Sequence, residues 1–320
     1  MRESEAIERL RRTATHEAAR GLLDDAALFD GLVITHDSIA EGVHFLAADP
    51  PDSVGWKLVA VNLSDLAAKG ATPAAALLSL TIAGAGEWES AFIDGLETAC
   101  EHYALPLIGG DTIALPAGAP RVLGMTAIGY AGDRVPSRSG SQPGDRLWLL
   151  GSVGDSAAGL DQLLADSQAA GPLVEAYRRP VPLLATGQAL APHAKAMMDV
   201  SDGLLLDALR LAQASGCGVE IDIAAITLSE AFVHARGGDL EARLFAATGG
   251  DDYALLAALP AELDPSTLSL PSGTRMARVG VLTDGPPEIR LSSGGRSVEL
   301  PERLGHEHRS SVAPPVADRA

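Results

Sequence analysis

Aromatic side chains are scarce in this sequence, at 4% of 320 residues, so Ala, Leu and Val must fill most of its core. Only two cysteines occur, Cys100 and Cys217. They fit neither a zinc spacing nor a disulfide framework, and a reducing compartment is the simple inference. Basic residues are also short, 24 Lys and Arg against 42 Asp and Glu, for a formal charge of −18. That balance argues against a broad basic face for nucleic acid and repels anionic ligands at long range. A phosphate-bearing ligand would need local cations, either metal ions or arginines. No long apolar run is present: "ATPAAALLSLTIAGAG" at 71–86 is too short for a membrane span, carries Pro73, and reads as a buried strand with its turns. The N-terminus, "MRESEAIERLRR", lacks the apolar segment of a signal peptide. The expectation is a cytoplasmic protein with neither a membrane nor a nucleic-acid partner.

Several widespread motifs are absent as well. There is no G-x-x-x-x-G-K-[ST], and the G-x-G pairs at 84–86 and 216–218 lack the third glycine of a dinucleotide loop. G-x-S-x-G and H-E-x-x-H do not occur either.

What remains is ample for a folded chain. A hydrophobic share of 47% can bury a core, and 34 glycines with 20 prolines imply many tight turns between short elements. Residues 1–20 read as a polar helix, and 31–38 as a strand. Residues 53–70 have Trp56, Val59, Leu63, Leu66 and Ala67 at helical spacing, with Gly70 as the stop. Strands follow at 75–83, 105–112 and 122–131, with a helix at 87–103. The Ser/Gly/Pro-rich "SRSGSQPGDR" at 137–146 is the best internal boundary. Beyond it the pattern restarts, with strands at 147–151, 218–223 and 253–259 and helices at 154–167, 183–191 and 202–214. An α/β (α+β) chain of two domains results: 1–140, 141–309, and a flexible tail at 310–320.

The chemistry-bearing feature is a set of aspartates at the ends of apolar runs: Asp24, Asp25, Asp37, Asp111, Asp199, Asp251 and Asp252. One Asp after a strand is ordinarily a turn former or a helix cap. Many of them, scattered along an α/β chain, also suit magnesium, which takes hard oxygen ligands from few carboxylates plus water and phosphates. In "MMDVSDGLLLDAL", Ser201 or Asp202 can cap the following helix, or Asp199 and Asp202 can hold metal. Asp65 sits between Asn62 and Lys69 on one helical face, where it either pairs with Lys69 as a surface salt bridge or ligates metal. Gly154-Asp155-Ser156 reads as a helix N-cap that could also bind phosphate.

Eight segments, "LLDDAAL", "THDSIAEGVHF", "AVNLSDLAAKGATP", "LIGGDT", "RSGSQPGD", "GDSAAGL", "DVSDGLLLD" and "TGGDDYAL", lie in the order and near the spacing of the thiamine-monophosphate kinase family. The chain resembles that family from about residue 21 to 255. Each segment alone is a weak signal; eight in order are specific. The resemblance implies the two-domain fold of aminoimidazole ribonucleotide synthetase, each half a mixed sheet flanked by helices. It implies transfer of the γ-phosphoryl group of ATP to thiamine monophosphate, with several Mg2+ ions and a homodimer. By motif, Asp25, Thr35, His36, Asp37, Asp65, Asp111, Asp199 and Asp202 would hold metal. Gly110, Asp111, Arg138 and Ser201 would contact nucleotide, and His44, Asp251 and His306 would meet the substrate. The chain departs from the family pattern at Leu23 (commonly Gly), His36 (Ser or Thr), Asp251 (Glu) and His306 (an aromatic).

The chemistry is consistent with this implication. A phosphate monoester has a second pKa of about 6, so its nucleophilic oxygen is mostly ionised at neutral pH and needs no catalytic base. Phosphoryl transfer then depends on positioning and charge neutralisation. Two other readings stay open: an aminoimidazole ribonucleotide synthetase-like enzyme, and a nonenzymatic nucleotide-binding regulator. Selenophosphate synthetase is disfavoured because no Cys precedes Cys100, and a hydrogenase-maturation relative because the sequence ends in Ala320 rather than Cys.

Overall fold

The computed structural model describes residues 3–306 except 85 and 117; the expected tail at 310–320 lies outside the described residues, as do 307–309. The first half runs α1 (Glu3–Leu10), β1 (Ala27–Phe29), β2 (Leu32–Ala40), α2 (Pro51–Ala68), β3 (Thr72–Ile82), α3 (Glu87–His102), β4 (Leu107–Ala114) and β5 (Val122–Tyr130). Its sheet has the order β1-β2-β5-β3-β4, in which only β3 and β4 are parallel. Pro73 falls at the start of β3 beside a register shift, where a missing N–H is tolerated.

The second half runs β6 (Arg146–Leu150), α4 (Asp155–Ala165), α5 (Pro172–Arg178), α6 (Leu184–Leu190), β7 (Ala196–Val200), α7 (Leu204–Ser215) and β8 (Gly218–Asp222). It continues through α8 (Glu230–Arg236), α9 (Leu240–Thr248), β9 (Ala254–Leu259), β10 (Met276–Thr283), β11 (Ile289–Ser293) and β12 (Arg296–Val298). These strands form a second mixed sheet, β12-β11-β8-β10-β6-β9-β7. β7 and β9 are buried at every position and carry near-continuous apolar runs, as expected of strands covered on both faces.

Two expectations change. Residues 1–20 are not one helix: α1 stops at Leu10, and a separate 3₁₀ segment at Glu17–Leu22 begins where His16 accepts the Ala18 N–H. The alternative in which Asp65 and Lys69 pair on the surface of an amphipathic helix also falls away, because α2 is buried nearly all round, packed on α3, β2, β5, α6 and β7. Its contact with α3 is close enough to require glycine. A Cβ on Gly95 would lie 1.9 Å from the Asp52 carbonyl oxygen, and one on Gly55 would lie 2.2 Å from that of Phe92.

Candidate active site

A helix that is apolar all round has no wet face for its polar residues, so each must find a partner inside. In α2 the buried polar residues are Ser53, Lys57, Asn62, Ser64 and Asp65, with Lys69 immediately after it. Apart from Ser53, near the N-terminus, Asp65 lines one cleft and the others contact residues that line it. The Asn62 carbonyl accepts the Asp37 N–H at 2.9 Å, Ser64 Oγ donates to Asp199 at 2.7 Å, and Thr35 Oγ1 donates to Asp65. Lys57 Nζ donates to Asp251 at 2.6 Å and to the His44 carbonyl at 2.9 Å. Its ammonium also lies 4.1 Å from the centre of the Tyr177 ring.

The cleft, of about 1050 Å³, lies between the two halves. Asp25, Asp37, His44, Asp65 and Arg138 line it from the first half and its boundary; Asp199, Ser201, Asp202, Asp251 and His306 line it from the second. Carboxylate oxygens of Asp25, Asp65 and Asp199 all lie within 4.8 Å of one another. Burial pushes the Asp199 carboxyl up to about 8, with repulsion from Asp25 adding to it. Burial and repulsion from Asp25 likewise raise Asp37 to about 6. Asp65 rises well above the carboxylate range for the same reasons, facing Asp37, Asp199 and Asp25. Such a group calls for a cation.

The donor set fits a hard divalent ion. All three clustered ligands are carboxylates, and buried Asp25 Oδ2 accepts no hydrogen bond among the described residues, although the Lys69 ammonium lies 2.5 Å from it. The other Asp25 oxygen is held by the Arg138 guanidinium, whose Nε lies 2.5 Å away.

Some predicted residues stand elsewhere. Thr35 is buried behind Asp65 rather than in the cleft lining. The His36 ring bonds Thr126 at 2.9 Å on the exposed side of β2. Gly110 and Asp111 sit on β4, which is exposed at every position and outside the cleft of this chain. Gly110 is nonetheless sterically required, since a Cβ there would lie 2.0 Å from the Leu78 carbonyl oxygen. Asp202 lines the cleft but is paired with Arg210 at 2.5 Å.

The capping expectations are also corrected. Gly203, not Ser201 or Asp202, is the N-cap of α7, and the Asp207 carboxylate accepts the Ser201 and Asp202 N–H groups at 3.1 Å each. Buried Asp207 serves this turn better because it points back from inside the helix. The start of α4 already holds a carboxyl group: Asp252 accepts the Gly154 N–H at 2.6 Å and the Ser156 N–H at 3.2 Å. The Asp65–Lys69 surface pair does not form. Lys69 is fully buried and meets Asp24 and Asp25 instead, each at 2.5 Å. Lys57, Ser64, Lys69, Tyr177 and Asp207 were not singled out as site residues. The available signal was a polar residue inside an apolar helix, which applies to the first three.

Two mixed sheets backed by helices and meeting at a carboxylate-lined cleft define the AIR synthase-related class. Residues 23–131 match the model of the AIR synthase related protein N-terminal domain, and residues 142–291 match that of its C-terminal domain. The chain is 36% identical to the thiamine-monophosphate kinase of Caulobacter vibrioides, over 96% of this chain and 90% of that one. It is 38% identical to that of Escherichia coli K12, over 82% of each. A solved structure of AaThiL complexed with AMPPCP and TMP superposes with a TM-score of 0.81 at 30% identity, over 95% of this chain and 97% of that one. The chain belongs to the thiamine-monophosphate kinase family.

Proposed function

We infer that this protein transfers the γ-phosphoryl group of ATP to thiamine monophosphate, giving thiamine diphosphate. The observation that carries the reading is a cleft with buried carboxylates at one place and cationic side chains beside it, in a chain whose relatives are named for this reaction. The AaThiL structure, complexed with AMPPCP and TMP, supports ATP and thiamine monophosphate as the two substrates.

Magnesium is the divalent ion this reading calls for: when bound, it neutralises phosphate charge. Asp25, Asp65 and Asp199 would hold it, with Asp37 and Asp202 at the cleft wall for further ions. The protein's own part is to bring two polyanions together and exclude water. Arg138 stands beside Asp25 to meet a nucleotide phosphate, and Ser201 lies at the head of α7 on the same wall. His44, Asp251 and His306 line the cleft for the acceptor. Asp251 is held ionised there: burial would raise its carboxyl, but the Lys57 charge outweighs burial and lowers it. No side chain need take a proton from the acceptor, because its phosphate is largely dianionic at neutral pH.

We divide the chain at the turn-rich boundary into 1–140 and 141–309; residues of both parts line the cleft. A homodimer suits the exposed apolar side chains Leu107, Ile108 and Ile113 on the edge strand β4 and Val122 and Tyr130 on β5. A second copy there would cover Gly110 and Asp111, whose nucleotide and metal roles rest on the motif alone. A cytoplasmic location agrees with the two free cysteines and with the absence, among the described residues, of any helix long and apolar enough to cross a membrane.

The test is ADP release by purified protein with Mg-ATP and thiamine monophosphate, with thiamine and aminoimidazole ribonucleotide precursors as controls. Turnover on thiamine monophosphate alone supports the reading. Turnover without any divalent ion, or nucleotide binding with no turnover on any acceptor, would sink it.

A further inference from the structure

Lys69 follows the last turn of α2, fully buried, beside the carboxylates of Asp24 and Asp25. Its ammonium has three protons to place. It donates to Asp24 Oδ1 at 2.5 Å and to the Met197 carbonyl of β7 at 3.1 Å. The third neighbour is Asp25 Oδ2, also 2.5 Å away but out of hydrogen-bond alignment. One cation thus joins the loop of Asp24 and Asp25, the end of α2, and the second-half strand that carries Asp199. Toward Asp24 and Met197 it is anchored. Toward Asp25, a member of the three-carboxylate cluster, it forms an ion pair.

We propose that Lys69 is a resident counter-cation of the carboxylate cluster, a positioning residue that supplies part of the positive charge a divalent ion would otherwise bring and so loosens the site's grip on that ion. The proposal rests on the metal reading of this cleft. Without metal, Lys69 and Arg138 flank Asp25 and keep the cluster from repelling itself apart. When a divalent ion engages Asp25 Oδ2, it meets the ammonium as a like charge, and the repulsion lowers its affinity. Lys69 stays in place through Asp24 and Met197.

The variant Lys69→Met keeps most of the length and bulk of the side chain and removes the charge. Two effects of opposite direction follow. In chelator, the melting temperature of the variant falls by about 5 °C or more, because buried carboxylates lose their partner. In titration calorimetry with Mn2+, its dissociation constant falls by on the order of tenfold relative to the unaltered protein. A merely structural lysine would give the first effect and leave Mn2+ affinity unchanged or weaker, and that result overturns the proposal. If the variant does not fold in chelator, Mn2+ is expected to restore its fold; failure in both conditions also overturns it. Should the unaltered protein bind no Mn2+ at all, the metal reading itself fails, a result distinct from an unchanged variant.

Discussion

Asp199 shows what burial does to a single side chain in this protein. It is the penultimate residue of β7, buried between two apolar neighbours, with Ser64 as its donor and Asp25 and Asp65 as its close companions. Alone in such a place a carboxylate protonates; beside a divalent ion it stays charged. Asp199→Asn and Asp65→Asn keep the shape and remove one repelling charge. Either change is expected to lower turnover by about a hundredfold or more, while raising the melting temperature of the metal-free protein. Activity assays and thermal melts in chelator read the two effects separately. Near-normal turnover in either variant would remove that residue from the metal set. By contrast, Asp24 is a structural anion. Burial would raise it, but the Lys69 charge and hydrogen bonds from Lys69 and Arg20 hold it at about 2.

Among the elements, α2 carries the most. Its apolar positions pack it into both halves, and its few polar positions are spent on the cleft. The sequence pattern located this helix within two residues at each end but left Asp65 open between a surface pair and a metal ligand, because Lys69 at i+4 from Asp65 looks like a local ion pair. Tertiary packing removed the water that would make such a pair cheap to form. The α2–α3 crossing gives a direct test. Gly95→Ala places a methyl against the Asp52 backbone, so the helices must separate, at a cost of about 1–3 kcal/mol measurable by urea unfolding. An unchanged midpoint would mean that the crossing relaxes freely. The short helices α5 and α8, seven residues each, and α9, of nine, had no assignment from sequence, since so few turns carry little periodicity.

At the scale of the whole molecule, the cleft should make stability depend on pH and metal together. Asp37 at about 6 and Asp199 at about 8 hold protons more tightly folded than unfolded, where an aspartate titrates near about 3.9. The folded state therefore binds more protons between about pH 4 and 8, and stability falls as pH rises through that window. Asp24 has the opposite sign, but its contribution changes only between about pH 4 and 2. Melting temperature in chelator should drop from pH 5 to pH 8. Millimolar Mg2+ should flatten that drop, and its binding at pH 7 should release protons detectable in buffers of different ionisation enthalpy. A pH-independent metal-free melt would contradict the buried carboxylate cluster. The exposed edge strand β4 makes a separate prediction: Ile108→Glu should shift the protein toward a smaller species in sedimentation if that strand is part of the dimer contact.

The sequence by itself determined the alternation of strands and helices and the motif order that marks the family, because turn residues, apolar periods and motif order are all local. It could not determine convergence. Asp25, Asp65 and Asp199 come from a loop, a helix and a strand of two different halves, and only the packing of α2 against both brings their oxygens together. Nor could it choose between two uses of one residue. Lys69, Ser201, Asp202 and Asp252 each had a bland partner close by in sequence. The tertiary structure selected Asp24 and Asp25 for Lys69, gave the α7 turn to Asp207, and placed Asp252 on the start of α4. In a dry interior a charge or an unpaired N–H must take the best partner in space, whatever its distance along the chain.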